Sequence, residues 1–190
     1  MTNCLSIITT ALRRIGVLGA GQLPDEDQVT DHLETLKALY FRAINDGTFG
    51  RLSDVITLEN VEHHASPMSR IAALDPSTVI LPETITCGGH ETVPVDGSVI
   101  VIVHRTTRQT ATYIYDSGSH DWTQIDHLQP TDAAPLAYRD SIGLACLLAT
   151  ELSEEYGREL SELTVRNAMS FRTSLTHDWS RGDNSPVPYF

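Results

Sequence analysis

Lysine is nearly absent from this sequence of 190 residues: of its 13 basic residues only Lys37 is lysine, and the others are arginine. With 25 acidic residues, the formal net charge is −12. A surface this acidic repels phosphate backbones, which argues against a protein that grips DNA or RNA tightly. The composition is compatible with a protein that DNA slides past without sticking.

Cysteine is also scarce, and long apolar runs are missing. Cys4, Cys87 and Cys146 are odd in number and far apart, so we expect free thiols made in a reducing compartment. No apolar run approaches the roughly 18–20 residues that cross a bilayer. The first residues have no basic leader before their apolar part, so we expect neither a secretory signal nor a membrane partner.

The common catalytic and nucleotide-binding motifs are absent. The sequence contains no GxxxxGK[ST], GxGxxG, GxSxG or HExxH. The short Gly-Ala-Gly-Gln run at 19–22 is followed by acids that would repel phosphate, so we interpret it as a helix connection. We therefore expect no cofactor and no enzymatic activity.

One set of residues has ligand types that suit zinc: His63, His64, Cys87 and His90. The glycines between Cys87 and His90 permit a tight turn. However, the two upstream histidines are adjacent rather than spaced as in structural zinc sites. We favour a polar hairpin loop, and a small metal-dependent hydrolase stays as the alternative.

Two other groups of side chains invite a functional interpretation. A Ser-His-Asp site can be sketched from Ser117 and Ser119, from His104, His120 and His127, and from Asp116, Asp121 and Asp126. Proximity in sequence does not establish the geometry of a triad, so we favour turn residues. A base-stacking platform can be sketched from Tyr113, Tyr115 and Trp122. With so little basic charge around them, we favour packing within a sheet.

The first part of the chain predicts two helices. One covers about 3–15, and the second begins after Pro24, where three acids favour a helix start, and ends near Gly47. The second has apolar residues at steps of three and four, which form one stripe: Val29, Leu33, Leu36, Tyr40 and Ala43.

The middle of the chain predicts strands. Residues 52–61 are extended, and β-branched or aromatic runs follow at 79–81, 99–103, 111–115 and 122–125. The run at 99–103 is apolar on both faces, so we expect it to be central or covered on both sides. The product is a three- or four-stranded antiparallel meander.

Helices return in the last part of the chain, at about 138–156 and 160–179. The apolar residues of the first are Ile142, Ala145, Leu148, Ala149 and Leu152, and those of the second include Leu163, Val165, Ala168, Met169, Phe171, Leu175 and Trp179. The predicted fold class is mainly α with an inserted β region. The parts are a first helical pair (1–50), a β lobe (51–130), a second helical pair (131–180) and an extended tail (181–190). We expect core packing by Leu33, Leu36, Tyr40, Leu148 and Leu152.

The last residues predict a docking segment. Two aromatic residues end the chain after a polar linker, so nothing near them in sequence covers them. Either the tail folds back on its own bundle or its aromatic end anchors in a partner, and we favour the partner. The segment consists of Pro186, Val187, Pro188, Tyr189 and Phe190.

Two stretches resemble a known family. The first is Ala11-Leu12-Arg13-Arg14-Ile15-Gly16-Val17, followed by Glu26-Asp27, Leu33, Leu36, Tyr40 and Asp46-Gly47. The second runs from Ala134-Pro135-Leu136 to Ala145 and on through Glu151 to Glu155. Together they resemble the head-to-tail adaptors, or head completion proteins, of tailed phages and gene transfer agents, including the tail accessory factors of short-tailed phages.

The resemblance implies a structural virion protein at the head–tail junction, made in the host cytoplasm. Such adaptors form a dodecameric ring that docks on the portal, continues the channel for double-stranded DNA and carries the next stopper or tail protein. The resemblance also implies that the C-terminal segment docks against the portal. Another neck or tail-completion protein with a similar helical core is the alternative.

Overall fold

The computed structural model describes residues 2–46, 48, 54–58, 85–87, 90–94, 96–104 and 110–181. For the strands at 54–58, 85–87 and 90–92, for residues 103–104 and for the end of the last helix, the description covers the backbone. The chain divides into two units. One joins Met1–Gly50 with Leu128–Phe190, and the other is Arg51–His127.

Helices α1 (Cys4–Arg14) and α2 (Glu26–Asn45) begin at side-chain caps. The carboxamide oxygen of Asn3 accepts a hydrogen bond from the Ser6 amide at 2.9 Å. Asp25 and Gln28 form a capping box, in which each side chain accepts a hydrogen bond from the other residue's backbone amide. Because the first amides of a helix have no intrahelical partner, these caps fix where each helix starts.

Helices α3 (Ala137–Glu155) and α4 (Glu162–Arg181) complete the helical unit. Helix α3 is interrupted near its start, where Asp140 has φ −157° and ψ 88°. The Asp140 carboxylate accepts a hydrogen bond from the Gly143 amide at 2.8 Å, so it caps the regular part of α3. A Cβ added to Gly143 would lie 2.6 Å from the Cβ of Phe171, which shows how closely α3 and α4 approach.

Backbone hydrogen bonds tie the two ends of the helical unit together. The amides of Cys4 and Leu5 donate to the carbonyls of Asp132 and Pro130, each at 2.9 Å. The buried Tyr40 hydroxyl of α2 donates to the carbonyl of Pro135 at 2.8 Å. The chain that enters α3 is thereby fixed against α1 and α2.

The other unit contains a sheet whose strand order is β1-β4-β5-β6. Its strands are β1 (Asp54–Leu58), β4 (Val99–His104), β5 (Thr110–Asp116) and β6 (Asp121–Gln124). Strands β4, β5 and β6 form an antiparallel meander, and β1 adds parallel to β4 in the register Val55–Val101. A separate antiparallel pair is formed by β2 (Ile85–Cys87) and β3 (His90–Thr92).

The predicted fold class, mainly α with an inserted β region, is confirmed: two helices precede the strands and two follow them. The prediction that the apolar run at 99–103 is a central strand is also confirmed, because β4 lies between β1 and β5. The antiparallel prediction holds for β4–β6, whereas β1 runs parallel to β4. The predicted strand at 79–81 lies outside the described residues.

Three residues that were expected on apolar stripes are exposed instead. Ile142 is 49% exposed, Leu163 47% and Met169 65%. Ile142 lies two residues after the interruption at Asp140, in the first turn of the regular part of α3, so a stripe drawn for a helix that is continuous from Tyr138 does not hold there. In α4 the buried face contains Thr164, Ala168, Phe171 and Leu175. The hydroxyl of Thr164 is within 2.9 Å of the Ser161 hydroxyl, so it tolerates burial.

Candidate functional site

The C-terminal end of α2 meets α3 and α4 through two ion pairs. Arg42 contacts Glu151 of α3, and Arg172 of α4 contacts Asp46, each at 2.5 Å. Burial by itself raises the pKa of Asp46, but hydrogen bonds from Thr48 and the charges of Arg172 and Arg42 outweigh it, so that this pKa is lowered. All four charged groups are partly exposed, so the pairs orient the helices more than they stabilise them.

A groove lies at the opposite end of α2, where it passes α1. Its cavity volume is about 380 Å³. The residues that line it are Leu5, Leu23, Pro24, Val29 and Pro130, together with Glu26 and Thr30. Leu23 is 74% exposed, and the acids Asp25, Glu26 and Asp27 are exposed beside it. We call this feature the α1–α2 groove; it is apolar inside and acidic along one rim.

The entry to α3 is a tight corner. Leu136 is fully buried and has φ +63°, which is uncommon for a residue with a side chain. The Tyr40 hydrogen bond to Pro135 lies one residue before it, and the Asp140 cap lies four residues after it. Packing and hydrogen bonds on both sides hold this backbone in place. The exposed side of the corner carries Tyr138.

His32 of α2 and Tyr156, which follows α3, are two titratable side chains in direct contact. The Nε2 atom of His32 shares a hydrogen bond with the Tyr156 hydroxyl at 2.8 Å, and His32 is 1% exposed. Its Nδ1 has no partner among the residues that the structure describes. Burial, followed by the charge of Glu155, raises the pKa of Tyr156 despite an opposing hydrogen bond from Gln28, so Tyr156 stays a neutral phenol near pH 7. We interpret the pair as a buried structural hydrogen bond between α2 and the end of α3.

Several residues of the sketched hydrolase site form the turn between β5 and β6. The Asp116 carboxylate accepts hydrogen bonds from the amides of Gly118 and Ser119 at 2.8 and 3.2 Å. The Ser119 hydroxyl donates to the backbone carbonyl of Asp116. His120 lies in the same turn with φ +54° and is exposed. These contacts fix a loop between β5 and β6. The side chain of His104 lies outside the described residues.

The sketched stacking platform is part of the sheet. Tyr113 and Tyr115 are buried, and the ring of Tyr115 meets that of Trp122 in a T-shaped contact at 5.2 Å. Tyr113 packs with Ile100 and other core residues. Burial raises the pKa of Tyr113, and the charge of Asp126 adds to the effect. Both tyrosine rings are used for packing, as the interpretation that we favoured requires.

Of the four residues in the zinc hypothesis, the structure describes the backbone of two, Cys87 and His90. The backbone register pairs Cys87 directly with His90 across β2 and β3. Their side chains, together with His63 and His64, lie outside what the structure describes. Among the described residues, no group of three or more His, Cys, Asp and Glu side chains is placed to hold a metal ion.

The thiols of Cys4 and Cys146 are free and buried. Burial, reinforced by the charge of Asp132, raises the pKa of Cys4 to about 12. Burial also raises the pKa of Cys146. Neither thiol is a nucleophile near neutral pH, because the reactive form is the thiolate.

The structure describes the residues that were predicted to pack the core, but not those that were predicted to dock on a partner. Residues 186–190 lie outside the described part of the chain, so their docking role stays a prediction. The five residues predicted to pack the core are all buried: Leu33, Leu36, Tyr40, Leu148 and Leu152.

Sequence reasoning missed the α1–α2 groove and the ion pairs at the C-terminal end of α2. Contacts between residues as far apart as Asp46 and Arg172 depend on how the helices pack, which periodicity does not reveal. For the groove there was a local signal. Leu23 stands alone among polar residues before the cap, and such a residue either packs back on its helix or stays exposed.

No protein-family model and no curated protein matches the sequence. None of the helices in the described residues combines the length and the apolar character that a membrane crossing requires.

Proposed function

We propose that this protein is a structural component of a virion, an adaptor ring of the head–tail connector. In this role it docks on the portal, continues the DNA channel and offers a platform to the next neck or tail component. It acts by holding surfaces together and has no catalytic activity.

One observation carries the proposal: the two stretches that resemble such adaptors pack into one helical unit. The first stretch covers the end of α1 and α2, and the second covers α3. The Tyr40 hydroxyl and the Pro135 carbonyl join the two stretches directly, in a buried hydrogen bond of 2.8 Å. The family resemblance therefore corresponds to a continuous structural core.

The charge balance supports the same role. A net charge of −12 repels DNA, so a channel lined by copies of this chain lets DNA pass without holding it. The same charge makes copies repel one another, so their contacts require apolar or arginine-mediated surfaces. Arginine is suited to such contacts because its planar guanidinium pairs with carboxylates in a fixed geometry.

Native mass spectrometry of the purified protein, alone and mixed with the portal protein encoded near it, tests the proposal. We expect a complex that contains several copies of this chain on one portal. A chain that forms no complex with the portal, at any mixing ratio, would overturn the adaptor role. If the complex forms only with a later tail component, the protein is another neck or tail-completion protein.

A second experiment tests the predicted docking segment. Truncation after Asn184 removes residues 185–190, and we expect it to weaken portal binding while the helical circular dichroism spectrum is unchanged. Particle assembly that is unaffected by the truncation would refute the docking role of the tail.

The register pairing of Cys87 with His90 keeps the metal-dependent alternative open to test. We expect protein purified without a histidine tag to contain less than one metal ion per chain. One bound zinc per chain that is lost in the Cys87→Ser variant would favour the metal-dependent hydrolase.

A further inference from the structure

We draw no further inference here: the strongest candidate, the apolar α1–α2 groove with its acidic rim at the first turn of α2, carries none, because nothing among the residues that the structure describes shows what covers it.

Discussion

The closest approach of α3 to α4 makes Gly143 the position where a single methyl group should be most damaging. A Cβ at this position would lie 2.6 Å from the Cβ of Phe171 and 2.4 Å from a carboxylate oxygen of Asp140. The first contact is with an atom next to the backbone of α4, so no rotamer change relieves it. The second disturbs the carboxylate that caps α3 through the Gly143 amide.

The magnitude follows from these distances. Reaching ordinary contact with Phe171 requires the helices to separate by roughly 0.8 Å, the difference between 2.6 Å and 3.4 Å. Overpacking of this kind costs about 1–3 kcal/mol. Alanine gains up to about 1 kcal/mol over glycine inside a helix, but less at a position only three residues after the cap. We expect the Gly143→Ala substitution to lower the free energy of unfolding by about 1–3 kcal/mol.

Urea unfolding followed by helical circular dichroism measures this effect. The matched control is Gly19→Ala, whose Cβ would meet only the side chain of Gln22, with the carboxamide oxygen at 3.2 Å. The control should change the free energy of unfolding by less than about 0.5 kcal/mol. If Gly143→Ala unfolds at the same urea concentration as the control, α3 and α4 do not pack as closely as the structure places them.

Three further predictions concern other parts of the helical unit. Tyr40→Phe leaves the buried Pro135 carbonyl without its donor and should cost about 1–3 kcal/mol in urea unfolding; an unchanged midpoint would contradict the bond. Arg172→Ala should raise the pKa of Asp46, measured by NMR titration, and cost less than about 1 kcal/mol. The pKa of Asp46 is lower in the folded than in the unfolded protein, so its ionised form stabilises the fold above the unfolded pKa, and this stabilisation disappears as the pH falls through the folded pKa. The free energies of unfolding of Arg172→Ala and of the unchanged protein should therefore converge in acid. A difference that stays constant with pH would contradict the ion pair. With its pKa raised to about 12, Cys4 should resist iodoacetamide near pH 7 until the protein unfolds, and rapid labelling of the folded protein would show that the thiol is not buried.

The helical layout could be predicted because it is a local property. In α2, the steps of three and four between Leu33, Leu36 and Tyr40 define a stripe that is buried in the structure. The acids after Pro24 marked its start, and Asp25 is the cap. For the strands, the apolar run in β4 predicted a central position, because a strand that is apolar on both faces has to be covered on both sides.

The corner that leads into α3 could not be predicted. Leu136 adopts a positive φ, which is expected from sequence only for residues such as glycine or asparagine. The packing and hydrogen bonds around Leu136 hold it in this conformation. Asp140 is a residue type that caps helices, but it stands inside a stretch that periodicity interprets as one continuous helix from Tyr138. The parallel pairing of β1 with β4 could not be predicted either, because it depends on contacts between residues 54–58 and 99–104, which are distant in sequence.

The exposure of Leu163 and Met169 could not be predicted from periodicity either. A periodicity argument assigns every apolar residue to the core, so it cannot separate a residue that packs inside its own chain from one that packs against another copy. Thr164 marks the difference in α4, because its hydroxyl finds a partner in Ser161 and lets a polar residue take the buried face. With Thr164 on the buried face, Leu163 and Met169 are left on the exposed side of α4.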